Sequence, residues 1–146
     1  MARRACRRNR RRPNMAQDPE RGRPVFMGEA ERAMLFEIRN YHIKPDRLAA
    51  YSHWAKTRAI PHLAQKLDVV GFWIASGEPS QITGEPMDAL GSANVTWILR
   101  WRDMAQRDET LPRTFSAPVW EEIFSHLEGG LDNYQRMESK FAETAV

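Results

Sequence analysis

The chain has 146 residues, enough for one domain around a single core. Its formal charge of +3 is unevenly spread: residues 1–33 hold ten arginines against four acids, which leaves residues 34–146 at −3. The folded part is therefore mildly acidic and lacks the basic face that nucleic-acid binding requires. No apolar run approaches the ~20 residues needed to span a bilayer, so neither a nucleic-acid partner nor a membrane span is expected.

Residues 1–33 carry Arg3, Arg4, Arg7, Arg8 and Arg10 to Arg12, followed by Pro13, Pro19, Gly22 and Pro24. Like charges repel and little can be buried, so this segment reads as a disordered, solvated extension, with the folded domain over 34–146. The chain start can equally be read as lying at Met15, Met27 or Met34. A mitochondrial targeting segment fits the arginines but not the lack of serine before Ser52. Cys6 is the only cysteine, which rules out an internal disulfide or a cysteine metal site. A reducing, cytoplasmic setting is the default, with a mitochondrial one the alternative for a eukaryotic chain.

The first element is the run Met34-Leu-Phe-Glu-Ile-Arg-Asn-Tyr-His-Ile-Lys-Pro45, which reads as a strand. Side chains two apart share a face. Phe36 and Ile38 therefore take an apolar side, and Glu37, Arg39 and Tyr41 take the other. Asp46 is placed to cap a helix through Leu48, Tyr51, Ala55, Ala59, His62 and Leu63. Pro61 is expected to kink that helix, or to end it and open a second one.

Val69–Ala75 has the β-branched and aromatic content of a second strand, with Gly71 marking a bulge or a close backbone approach. Ser76–Ala93, rich in glycine and proline, forms a long loop. Asn94–Trp101 alternates as a third strand, with Val95, Trp97, Leu99 and Trp101 on one face. Asp103 and Gln106 have capping-box spacing for a second helix that stops by Pro112. Ser116 is expected to cap a third, with Trp120, Ile123, Phe124 and Leu127 as its stripe and Gly129-Gly130 as its end. The final segment has Leu131, Tyr134 and Phe141 at helical spacing, and Met137, Ser139 and Phe141 at strand spacing. Periodicity slightly favours helix.

Glu37-x-Arg39-x-Tyr41 with Lys44-Pro45, Val70-Gly71-Phe72-Trp73, Trp101 with Arg107, Pro118-x-Trp120 and Glu138-Ser139-Lys140 together resemble the NIPSNAP family, over roughly Met34 to Ala142. Asp46 stands where the family usually has glycine, and Trp101 where it has tyrosine. The resemblance implies an α+β, ferredoxin-like split β-α-β monomer with a four-stranded antiparallel sheet, two copies forming a dimeric α+β barrel. It also implies a strand over Gln135–Ala142, against the periodicity. Family members share no established reaction. Fold relatives include cofactor-independent monooxygenases.

In such a dimer Glu37, Arg39 and Tyr41 would point into the gap between two sheets. Two readings of the row stand side by side. One is an ion pair that fixes register or dimer geometry. The other is an anchor for an anionic or carbonyl-bearing small molecule, with Trp73, Trp97 and Trp101 as aromatic lining. Tyr41 and His62 are the catalytic candidates if a monooxygenase or isomerase reaction occurs there. A third possibility is a scaffold that binds proteins through the long loop. His42, His53, His62 and His126 have no metal-binding spacing. No phosphate-cradling glycine loop, nucleophile elbow or paired-carboxylate motif is present, so neither metal nor cofactor is expected.

Overall fold

The computed structural model describes residues 34–145; the expectation for the arginine-rich extension lies outside them. Strand β1 (Leu35–Ile43) is followed by a 3-10 turn, Pro45–Arg47, and by helix α1 (Leu48–Trp54). The helix continues through a π turn, Ala55–Ala59, into α2 (Ile60–Lys66). Next come β2 (Val69–Ile74), the long loop, β3 (Val95–Trp101), α3 (Met104–Phe115), α4 (Pro118–Ser125), a second 3-10 turn and β4 (Tyr134–Glu143). The strands form one antiparallel sheet in the order β2-β3-β1-β4. This is the expected α+β architecture, and the last element is a strand. The periodicity misled there because Leu131 belongs to the 3-10 turn Gly130–Asn133 rather than to the element that follows it.

The helices cover one sheet face. Register decides which side chains meet them. Glu37 lies opposite Leu99, Arg39 opposite Trp97 and Tyr41 opposite Val95, so the acid–guanidinium–phenol row shares a face with the most apolar stripe of β3. That stripe packs with Tyr51, Trp54, Ala55, Ala59 and Leu63 from the first helix and Leu111 from α3. Phe36, Ile38 and Asn40 consequently face the other way, with Ile98 and Thr96. This reverses the expected orientation: the row lies under the helices and does not enter a gap between two sheets. Leu35 and Ile43, both packed on or in the core, balance the charged residues between them.

Several local expectations change with it. Asp46 does not cap α1; the turn begins with Pro45 at its first positions and no side-chain cap. Proline costs nothing there because the first amides of a helix have no internal acceptor. Pro61 is the second residue of α2, close to the expected restart of a helix there. The turn before it widens, with Ile60 N–H bonding the Ala55 carbonyl five residues back. Helix α3 runs through Pro112 to Phe115, with Pro112 and Asp108, four residues before it, both exposed. Asp103 does cap α3, accepting from Gln106 N–H at 2.8 Å while the Gln106 side chain accepts from Arg102 N–H at 2.7 Å. Ala117 rather than Ser116 is the cap residue of α4, with Pro118 next. That helix ends at Ser125, and Gly129 and Gly130, at φ 82° and 48°, shape the following turn.

The long loop is tied to the sheet at two places. Asn94 uses its side-chain amide as a surrogate strand, accepting from Ile43 N–H at 2.8 Å and donating to Ile43 C=O at 2.7 Å. Asp88 pairs with Arg136 of β4, and the buried His42 meets the Gly91 carbonyl at 3.0 Å. Asn94→Ala leaves both polar groups of Ile43 without these partners. The expected loss is about 2 kcal/mol, read as a lower urea midpoint with an unchanged slope.

Candidate functional site

The centre of the site is the Glu37 carboxylate, fully buried and held by four donors. Arg39 Nη1 and Arg107 Nη2 each donate to Oε1 at 3.0 Å. Arg107 Nε and the Trp101 indole N–H each donate to Oε2 at 3.1 Å. Arg107 thus grips both oxygens side-on, the geometry in which a guanidinium binds a carboxylate best. Burial pushes Glu37 up, but the hydrogen bonds and charges of Arg107 and Arg39 and the Trp101 N–H outweigh it and hold the group below its ordinary value. The same contact raises Arg107.

Arg39 carries the charge onward. Its Nε donates to the Tyr41 hydroxyl at 2.8 Å, and its guanidinium lies over the rings of Trp97, Tyr41 and Phe115 at 5.2, 5.8 and 5.8 Å. Glu37 contributes one negative charge, which Arg39 and Arg107 share. Part of the Arg107 charge is answered by the exposed Asp108 at 3.1 Å, which leaves Arg39 as the under-compensated group. Tyr41 is raised by burial, against the downward pull of Arg39, and is a neutral phenol at physiological pH. Tyr51 and Tyr134, packed edge to face 5.8 Å apart, are raised by burial as well.

Beyond Tyr41 the sheet and helices part to leave an aromatic recess. A narrow inner chamber of about 40 Å³ is bounded by Tyr41, Tyr51, Ala59, Phe72 and Trp97. An outer chamber of about 220 Å³ is bounded by Arg39, Phe124, Leu131 and Met137. Tyr41, Phe115, Trp120 and Tyr134 line both. The π turn shapes the inner wall. It swells the helix while keeping alanine at 55 and 59, so the backbone spreads without filling the space in front of Trp97. Such single π turns are frequent at functional sites. Trp54 Nε1–H donates to the Ile123 carbonyl at 2.8 Å and fixes α4 against the first helix.

The six residues expected to line a ligand cavity divide into three groups. Arg39, Tyr41 and Trp97 line the recess. Glu37 and Trp101 stand behind it and hold Arg39 and Arg107. Trp73 lies on the opposite sheet face, 51% exposed, with its ring folded over Gly71, where a Cβ would meet it at 2.3 Å. The second catalytic candidate, His62, is set beside the Trp120 ring at 6.3 Å and borders neither chamber. The sequence reading missed Arg107, whose only signal was its fixed distance from Trp101. It also missed Phe115, Trp120 and Tyr134, which come from three later elements. Among the described residues no group of three or more metal-ligating side chains is found, and no helix is long and apolar enough to cross a membrane.

This combination, a four-stranded antiparallel sheet under paired helices, is a ferredoxin-like α+β fold. The NIPSNAP family model matches residues 36–145, and the chain belongs to that family. Among solved structures it is similar to a NIPSNAP family protein of unknown function from Agrobacterium tumefaciens, at 22% identity and TM-score 0.60, over 79% of this chain and 91% of that one. An uncharacterized NIPSNAP domain protein from Burkholderia xenovorans shares 19% identity at TM-score 0.56, over 77% and 95% of the two chains. A Bordetella bronchiseptica protein carrying the name antibiotic biosynthesis monooxygenase has the same fold at 10% identity and TM-score 0.50, over 79% and 100%. No curated protein matches the chain.

Glu37→Gln removes the charge that two arginines enclose and should cost about 3 kcal/mol at neutral pH. Because the folded group titrates below its unfolded value of 4.5, its contribution is full above that pH and is lost as pH falls through the folded value. Urea titrations at pH 7, 4 and 3 should show the wild type converging on the variant with acid; a gap independent of pH would contradict the ion cluster.

Proposed function

We propose that this NIPSNAP protein binds a small molecule in the recess between sheet and helices, with an anionic or carbonyl oxygen directed at Arg39 and Tyr41. The observation that carries this is the under-compensated Arg39 charge beside a neutral buried phenol at the mouth of an aromatic chamber. Aromatic walls with a few convergent polar groups are the usual make-up of a ligand site. The alternative of a cofactor-independent monooxygenase or isomerase draws on the fold likeness to the Bordetella protein and on Tyr41; it gains nothing from His62, which lies outside the recess. Native mass spectrometry of the purified protein should reveal a bound small molecule that Arg39→Gln loses. Retention of the same molecule by Arg39→Gln would contradict the assignment.

The chain is also proposed to form a homodimer, through the other sheet face. There Phe36, Ile38 and Ile98 lie outside the core cluster, joined by the exposed Trp73. Glu138 and Lys140 of β4 stand beside Asn40 and Ile38 on this face, and Arg100 lies opposite Phe36 on β3. An apolar centre with charges of both signs around it suits a self-complementary interface. Light scattering should give twice the chain mass, and Ile38→Lys should reduce it to the monomer while leaving circular dichroism unchanged. A wild-type monomer at micromolar concentration would refute this.

A further inference from the structure

We infer that the recess selects a planar ring presenting a single acceptor oxygen, a phenolate or enolate, and discriminates against carboxylates and phosphates. This rests on the recess being a ligand site, as proposed above, and goes further by fixing the chemistry of the ligand's head.

The donors at the site are arranged for one oxygen. Arg39 Nε is committed to Tyr41 and one Nη1 hydrogen to Glu37; among the described residues Nη2 has no recorded partner. A carboxylate binds arginine best through two parallel N–H donors from two nitrogens; the side-on pair is closed by the bond to Tyr41, and the end-on pair would bring a second carboxylate onto the nitrogen that already holds Glu37. The Tyr41 oxygen accepts from Arg39, so its own proton is left to donate elsewhere, and burial keeps that proton in place. The third donor is the indole N–H of Trp97. This residue is 2% exposed, and its Nε1 reaches the Tyr41 hydroxyl closely enough to pull that phenol down but without the geometry of a formed hydrogen bond. A buried N–H left without a well-formed acceptor is rare in folded proteins and calls for an explanation. A ligand oxygen seated by Tyr41 supplies one.

The shape agrees with the donors. Tyr41 borders both chambers, Trp97 the inner and Arg39 the outer, so the donors straddle the passage between them. The inner chamber, at about 40 Å³, is much the smaller, and the outer one, at about 220 Å³, has room for a ring. Phe72 stacks on Trp97 at 5.7 Å and Trp120 on Phe124 at 6.2 Å, giving flat walls. Arg39, whose one acid partner is the Glu37 that Arg107 also holds, favours the ionised form of a weakly acidic hydroxyl.

The test uses 4-nitrophenol, whose phenolate absorbs visible light, with benzoate and toluene as ring-matched controls on the full-length protein. Bound 4-nitrophenol should ionise at a pH lower by about one unit, a tenfold preference for the phenolate, and benzoate should compete at least tenfold more weakly. Trp97→Phe keeps the ring and removes the N–H; Tyr41→Phe removes the phenol proton. Each should shrink the ionisation shift severalfold with circular dichroism unchanged, and if Tyr41→Phe fails to fold, Trp97→Phe decides. Benzoate binding as tightly as 4-nitrophenol, or an unshifted ionisation of the bound probe, or a shift that Trp97→Phe leaves intact, overturns the single-oxygen assignment while the recess stands as a ligand site. Failure of all three probes to bind overturns both.

Discussion

A carboxylate removed from water needs partners for every lone pair it can offer, and the Glu37 side chain finds them on three separate elements. Arg39 comes from the same strand, Trp101 from the neighbouring strand and Arg107 from the helix that follows it. The contact therefore joins β1, β3 and α3 at one point. It also sets a geometric condition: Arg39 is tethered at one end of its guanidinium and can present only the remaining part to the recess. The Arg39 guanidinium thus belongs to the buried ion cluster and borders the recess at once.

The same condition explains why the strand faces were misassigned from β1 in isolation. Phe36 and Ile38 look like a core pair, and Glu37, Arg39 and Tyr41 look like the lining of a polar gap or an interface. The deciding information lies sixty residues away, in the stripe of Val95, Trp97, Leu99 and Trp101, which must pack against helices and which antiparallel register couples to Glu37, Arg39 and Tyr41. A one-residue slip would exchange the two faces, bringing Phe36 and Ile38 inward and leaving the arginine cluster without its acid. The first three strands and the Asp103 cap were legible because each depends on neighbours in sequence; the last strand and the antiparallel sheet followed from the family resemblance alone. The aromatic walls were not, since Phe72, Phe115, Trp120 and Tyr134 meet only after the sheet and helices have docked.

Proline illustrates a second limit. The rule that proline ends helices assumes that the lost hydrogen bond and the steric clash are concentrated in one turn. Here the five residues before Ile60 take on the strain by widening, and at Pro112 the open side of α3 faces solvent. Both solutions depend on surroundings: small alanines under the first helix and exposure at the second. The widened turn then becomes part of the chamber wall, so a local accommodation of backbone chemistry contributes to the shape of the site.

Strand β1 lies between β3 and β4 and pairs along both edges. Its main-chain amides and carbonyls are thus engaged on either side, beneath the floor that bears Arg39 and Tyr41. The roof is α4, eight residues long and without a side-chain cap, which presents Trp120 and Phe124 to the chamber. The recess therefore has one wall built on two-sided strand pairing and one built on a single short helix held by the Trp54–Ile123 hydrogen bond.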